Sequence, residues 1–325
     1  MNKLKRYLKK NKYLMITYCF LKKIRDERRK NYKFKYTGEF YERSKGYDSL
    51  CIVLAGYKEF AYSAVFGRLE KFAPKDIDIC VVSSGLYSDR LAKICEKNNW
   101  SYLSTKENNV CLVQNVAISK FPKAKYIFKL DEDIFITDNY FDNMLRAYWH
   151  AQKGKYIPGV MAPMINVNGF SYGIILEKLN LVTEYEKRFG KFKYGAGTDK
   201  GIESNAEIAM FMWGKEKIVP SIDEMNYVFS KNELREVPCP LRFSIGAILF
   251  ERDLWEDMGY FNVNRKISGM GKDEIEIDSF CYLKSRVLMV SENVVVGHLS
   301  FGKQNEVMKE YFMAHKELYL PSEIQ

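Results

Sequence analysis

The chain has 325 residues, 47% of them apolar and 28% charged, enough to build a packed core and too apolar for wholesale disorder. No run approaches the roughly 18 to 20 consecutive apolar residues that a membrane-spanning helix requires. The net charge of +10 is local: residues 1–35 hold 14 Lys or Arg against Asp26 and Glu27, so the remainder is slightly acidic. A nucleic-acid binder spreads its basic residues over the folded surface, and this distribution argues against that class. Seven cysteines without a CxxC, most of them inside apolar runs, read as reduced thiols of a cytoplasmic protein. Only three histidines occur, none in an HExxH spacing, so there is no zinc signature.

Residues 1–30 predict a helix, because Leu4, Tyr7, Leu8, Leu14, Tyr18 and Leu21 recur at three- and four-residue steps or their sums, with basic residues between. The apolar stretch 13–21 is too short to span, and no small-residue cleavage site follows, so no signal peptide is expected. Two roles fit this segment. One is a solvated helix packing a stripe on the domain. The other is an interfacial helix on an anionic membrane, where each Lys or Arg contributes ~1 kcal/mol.

From residue 48 the pattern changes. SLCIVLAGY (49–57) and IDICVVSSG (77–85) are continuous apolar runs that end in small residues, the signature of strands buried on both faces. Between and after them come helical periods over 59–72, closed by Pro74, and 87–99, with Ser88 as N-cap. A short strand WSYLST, a helix VCLVQNVAISKF and a strand AKYIFKLD follow. This alternation predicts βαβ units and an open α/β fold with a mostly parallel sheet flanked by helices. Ligands bind at the carboxyl ends of such strands, so residues 55–58, 83–85 and 131–133 should face one crevice. Residues 160–176 read as a hairpin turning at Asn168-Gly169, and 190–238 as loops and short helices without clear period. Order returns with a strand over 243–250, a short helix near 253–258, a glycine-rich loop from Gly269, an acidic helix from Asp273 and a last strand VLMVSENVVVGH.

Three features carry chemistry. In KLDEDIFIT (129–137) Asp131 and Asp133 project to one side of an extended segment and Glu132 to the other. Two carboxylates side by side repel unless a cation joins them, and hard oxygen donors suit Mg²⁺ or Mn²⁺, which would in turn hold a diphosphate. In GMGKDEIEIDSF, Asp273, Glu274, Glu276 and Asp278 crowd the first turns of a helix. Its dipole accounts for some acid there, and four suit a general base over a substrate. In VVVGHLSFGK, His298 ends an apolar strand and reaches back toward the same crevice as a neutral ligand.

In this order the features resemble those of the GT-A fold glycosyltransferases, family-2-like bacterial enzymes with an Asp-x-Asp motif. LAGYKE, VVSSG, Asn115 in VCLVQNVAI and AKYIFKLDEDIFIT match their nucleotide-sugar half. GAILFERDLWEDMGYFN, GKDEIEID and VVVGH match their acceptor half. The resemblance implies a division into a basic helical extension (1–45), a nucleotide-sugar half (46–140), a hairpin and loop insertion (141–238), an acceptor half (239–303) and a helical tail (304–325). It further implies that Asp131 and Asp133 contact the ribose and the divalent ion, with Lys129 beside them and His298 completing the metal shell. Ala55, Tyr57, Ser83 and Asn115 would lie near the nucleotide, Glu274 would be the base, and Asp273 its acidic neighbour. Many relatives carry an Asp after the second strand, where this chain has Ser83-Ser84. The implied partners are a nucleotide-diphosphate sugar, a UDP-sugar foremost, a saccharide or lipid-linked acceptor, and an anionic membrane surface for residues 1–35. An inverting course is favoured. A metal-dependent phosphohydrolase and a non-catalytic nucleotide or carbohydrate binder are the rival readings.

Overall fold

The computed structural model describes residues 12–191, 193–195, 201–263 and 271–322. Helix α1 (Lys12–Tyr32) leads into strand β1 (Gly38–Tyr41), then β2 (Ser49–Leu54), α2 (Tyr62–Phe72), β3 (Asp78–Ser84), α3 (Asp89–Lys97), β4 (Ser101–Thr105), α4 (Val110–Lys120) and β5 (Tyr126–Asp131). The short β6 (Ile134–Phe135), α5 (Tyr140–Gln152), β7 (Pro158–Ile165), α6 (Ser171–Lys178), α7 (Val182–Phe189), α8 (Ala206–Met212) and α9 (Ile222–Phe229) follow. The chain closes with β8 (Glu236–Pro238), β9 (Ala247–Glu251), α10 (Arg252–Asp257), α11 (Lys272–Leu283), β10 (Val287–His298) and α12 (Asn305–Ala314).

The ten strands among the described residues form one mixed sheet, ordered β1-β4-β3-β2-β5-β9-β7-β10-β6, with β8 paired to β10. β2 lies parallel to β3 and β5, β3 to β4, and β7 to β10, whereas β9 runs antiparallel between β5 and β7. Strands β2, β3, β4, β5, β7 and β10 therefore share one direction, and their carboxyl ends open on one edge. The central strands are apolar end to end because both faces are covered: every residue of β7 is buried. Fully burying each large aliphatic side chain of this core contributes roughly 1.5–3 kcal/mol. The seven cysteines are free thiols, and five of them are buried. Among the described residues no helix is long and apolar enough to cross a membrane.

Three expectations are corrected. Residues 38–41, assigned to the helical extension, form edge strand β1, antiparallel to β4. The span 160–176 is not a hairpin: Asn168 Oδ1 accepts from Phe170 N at 2.9 Å and Ser171 N at 3.0 Å, which starts helix α6 instead of reversing a strand. The supposed insertion at 141–238 supplies β7, a strand inside the sheet between β9 and β10. Short apolar runs read alike in strand and helix. Residues 1–11 and Gly269, both part of the sequence reading, lie outside the described residues.

Candidate functional site

The shared carboxyl edge brings together the loop after β2, the end of β5, the entry to β9, the first turn of α11 and the end of β10. Glu132 organises the first of these. Its carboxylate accepts from the backbone N–H groups of Gly56, Tyr57 and Lys58 at 2.8, 2.9 and 2.9 Å, clamping the loop against the Asp-x-Asp segment.

Asp133 is buried, and its Oδ2 meets two cationic or polar groups: Lys58 Nζ at 2.5 Å and His298 Nε2 at 3.2 Å. Burial alone would raise its pKa, but His298 and Lys58 outweigh that and hold the carboxyl well below the usual range. His298 Nδ1 lies 3.2 Å from the Val167 carbonyl oxygen and its Nε2 lies 3.2 Å from Asp133 Oδ2, so both ring nitrogens face acceptors. A backbone carbonyl holding one ring nitrogen is how metal-ligating histidines are oriented.

Asp131 takes a different partner. Its Oδ1 lies 2.7 Å from Lys129 Nζ, which also donates to Ile245 O at 2.8 Å. Burial disfavours the Lys129 ammonium, yet Asp131, Asp273 and Glu274 together raise its pKa above the ordinary lysine value. Gly246 permits this approach: Asp131 N donates to Gly246 O at 2.8 Å. A Cβ on Gly246 would stand 3.1 Å from Ile134 and 3.5 Å from Asp131 Oδ2.

The four acids of α11 go four ways. Asp273, buried, accepts from Gln114 Nε2 on α4 at 2.8 Å. Glu274 Oε1 lies 2.8 Å from Arg242 Nε, and burial lifts its pKa to about 7 although Arg242 and Lys129 pull it down. Glu276 accepts from Asn262 N at 2.6 Å. Asp278 accepts from Phe243 N at 3.3 Å, its other oxygen is buried without a partner, and burial raises it to about 7. Asp273 and Glu274 are the two that act electrostatically on Lys129.

The nucleotide set fares unevenly. Tyr57 is 63% exposed over the loop, and its hydroxyl donates to Ser84 O at 2.7 Å. Ala55 is buried, with its N–H on Val82 O at 2.9 Å. Ser83 turns inward, donating to Leu86 O and sharing a hydrogen bond with Tyr102 Oη, both at 2.8 Å, so its side chain does not line the crevice. Asn115 is fully buried and ties α4 to the turn after α10: it accepts from Trp255 Nε1 at 2.9 Å and Phe261 N at 3.0 Å, and donates to Phe261 O at 2.8 Å. Neither belongs to the open site. Lys58, Arg242 and Gln114 were missed in the sequence. Lys58 carries the one available signal, a basic residue just past a buried strand in LAGYK.

Asp133 Oδ2 and His298 Nε2 lie 3.2 Å apart, and the carboxylate is a hard oxygen donor of the kind that Mg²⁺ and Mn²⁺ accept. Among the described residues no group of three or more His, Cys, Asp or Glu is arranged to hold an ion. The pair therefore fits an ion that brings the rest of its shell from a substrate, as Mg²⁺ does when it binds through one or two protein donors plus phosphates.

No protein-family model matches the chain. No curated protein matches it. Among solved structures it is similar to S. aureus TarS, at 13% identity and a TM-score of 0.44, over 85% of this chain and 40% of that one. It is likewise similar to TarS 1–349, alone and in complex with UDP, at 14% identity, a TM-score of 0.44 and 67% coverage of that chain. The chain thus spans well under half of the first of these.

Proposed function

We propose that the protein is a metal-dependent glycosyltransferase that moves a sugar from a nucleotide-diphosphate donor, a UDP-sugar foremost, to a hydroxyl of a saccharide or lipid-linked acceptor. The observation that carries this reading is that two chemistries lie around Lys129, which pairs with Asp131 and also feels the charge of Glu274. The first is the Asp133–His298 pair, and the second is Glu274, with its pKa brought to about 7 by burial. The first suits a diphosphate with Mg²⁺ or Mn²⁺, the second a proton acceptor matched to neutral pH.

When bound, the ion neutralises charge that develops on the leaving diphosphate. The chain's own residues do the rest. Tyr57 offers an exposed ring to the nucleotide base, and Asp131, held by Lys129, accepts from the ribose hydroxyls. Glu274 takes the proton from the attacking acceptor hydroxyl, and Asp273, fixed by Gln114, orients that acceptor. One displacement with one base inverts the anomeric centre. Residues 1–35 are proposed to meet an anionic membrane surface, which would bring the enzyme to the inner face of a membrane.

The test is a panel of nucleotide sugars with Mn²⁺, with and without EDTA, on wild type and Asp133→Asn. Sugar transfer that needs Mn²⁺ and is lost in Asp133→Asn supports the reading. Release of inorganic phosphate without transfer moves it to a phosphohydrolase. Nucleotide binding with no turnover on any acceptor moves it to a non-catalytic binder.

A further inference from the structure

We infer that Lys58 is the tethered counter-ion of the diphosphate site: its ammonium holds Asp133 until a nucleoside diphosphate and its divalent ion arrive together, and it then pairs with the diphosphate. The inference rests on the functional reading above and assigns a role to a residue outside the Asp-x-Asp motif.

The geometry is specific to one oxygen. Lys58 Nζ at 2.5 Å and His298 Nε2 at 3.2 Å both contact Asp133 Oδ2, the donor that a divalent ion between Asp133 and His298 must use. The Asp133 side chain is 3% exposed and that of Lys58 is 22% exposed, so the carboxylate is the deeper partner of the pair. Two cations close to one carboxylate oxygen repel, so ion binding requires Lys58 to leave.

Lys58 is built to leave. Its backbone N–H is fixed by Glu132 at 2.9 Å, so the main chain stays put, while four carbons of flexible stem carry the charge. Lys129 contrasts with it, being buried and held by Ile245 O as well as Asp131. A divalent ion arriving alone would strip Lys58 of its carboxylate and leave the ammonium unpaired in a mostly closed site. A diphosphate arriving with the ion supplies new oxygens for it. The two ligands therefore assist each other, and the coupling is reciprocal.

The experiment titrates full-length wild type, Lys58→Met and Lys58→Arg with Mn²⁺ alone, followed by electron paramagnetic resonance, and with UDP in saturating Mn²⁺, followed by calorimetry. Lys58→Met should bind Mn²⁺ alone about tenfold more tightly, the equivalent of about 1.4 kcal/mol, and UDP about tenfold more weakly. Lys58→Arg should keep both values near wild type. Lys58→Gln, which retains a hydrogen-bond donor for Asp133, replaces Lys58→Met if that variant does not fold. Unchanged Mn²⁺ affinity in the neutral variant overturns the inference, as does unchanged UDP affinity. Wild type that binds no UDP at any Mn²⁺ concentration overturns the functional reading instead, and the Mn²⁺-only comparison still decides whether Lys58 guards Asp133.

Discussion

Arg242 Nε stands 2.8 Å from Glu274 Oε1 and works against the burial that raises this carboxyl's pKa. Burial lifts the Glu274 pKa to about 7, and Arg242 is the largest force opposing it. Glu274 accepts a proton only when ionised, so kcat/KM should climb as pH rises through about 7. Arg242→Gln removes the opposing charge and should move that limb to higher pH, leaving the plateau in reach. A limb that does not move on this substitution would separate Glu274 from the rate.

Glu274→Gln should keep nucleotide binding and lose transfer by ~10² to 10⁴-fold, the usual cost of removing a general base. The same substitution should stabilise the fold. A carboxyl whose folded pKa is raised above its unfolded value favours folding only in its protonated form, so its burial weakens stability as pH rises from the unfolded pKa toward about 7. A neutral Gln escapes that penalty, and the melting temperature at pH 8 should rise, on the order of 1 kcal/mol of stability. Asp273→Asn is the control. If it abolishes transfer while Glu274→Gln keeps it, the base is Asp273.

What the sequence disclosed and what it hid divide along physical lines. Leu50 to Leu54 and Ile79 to Val82 read as strands because strands buried on both faces are apolar without interruption, and the positions of Asp131, Asp133 and His298 followed from strand ends. Asn115 misled because a polar residue in an apolar helix reads the same whether it meets a ligand or, as here, Trp255 and Phe261. Lys58 and Arg242 sit in loops, where no periodicity announces which distant carboxylate a long side chain will meet. The four acids of α11 looked like one cluster because spacing along a helix says nothing about the neighbours, Gln114, Arg242, Asn262 and Phe243, that claim them separately.

Arg68 places a second test on the fold. Its buried guanidinium donates to Tyr319 O at 2.7 Å, Ile136 O at 3.0 Å, Leu320 O at 2.8 Å and both Asp223 oxygens at 2.8 and 2.9 Å, pinning the segment after α12 to α9. Arg68→Met strands Asp223 as an unpaired buried charge and should cost about 3–5 kcal/mol in urea unfolding. The double variant Arg68→Met, Asp223→Leu removes both charges and should recover a large part of that loss. A single variant as stable as wild type would show that the pair contributes nothing.

Helix α1 carries its apolar residues outward: Tyr13, Ile16, Phe20 and Leu21 are 82, 58, 62 and 59% exposed, on the i, i+3, i+7, i+8 positions of one stripe. Residues 1–35, which include this helix, hold the whole positive excess of the chain. An apolar stripe between basic residues fits an anionic bilayer, where apolar burial and attraction to lipid headgroups act together. The segment to remove ends before Lys33, because Lys33 Nζ donates to Gly259 O at 2.7 Å and Phe34 packs on Tyr260 at 4.9 Å between ring centroids. Deleting residues 1–30 should therefore leave the fold and soluble turnover intact while weakening sedimentation with phosphatidylglycerol vesicles. The pair Ile16→Asp and Phe20→Asp should do the same without shortening the chain. Wild-type binding should fall as salt shortens the Debye length below its ~8 Å at physiological ionic strength, and phosphatidylcholine vesicles should bind little. Equal vesicle binding by wild type and both variants would sink the membrane role. Dimers that dissociate only in the Asp variants would assign the stripe to a second copy of the chain.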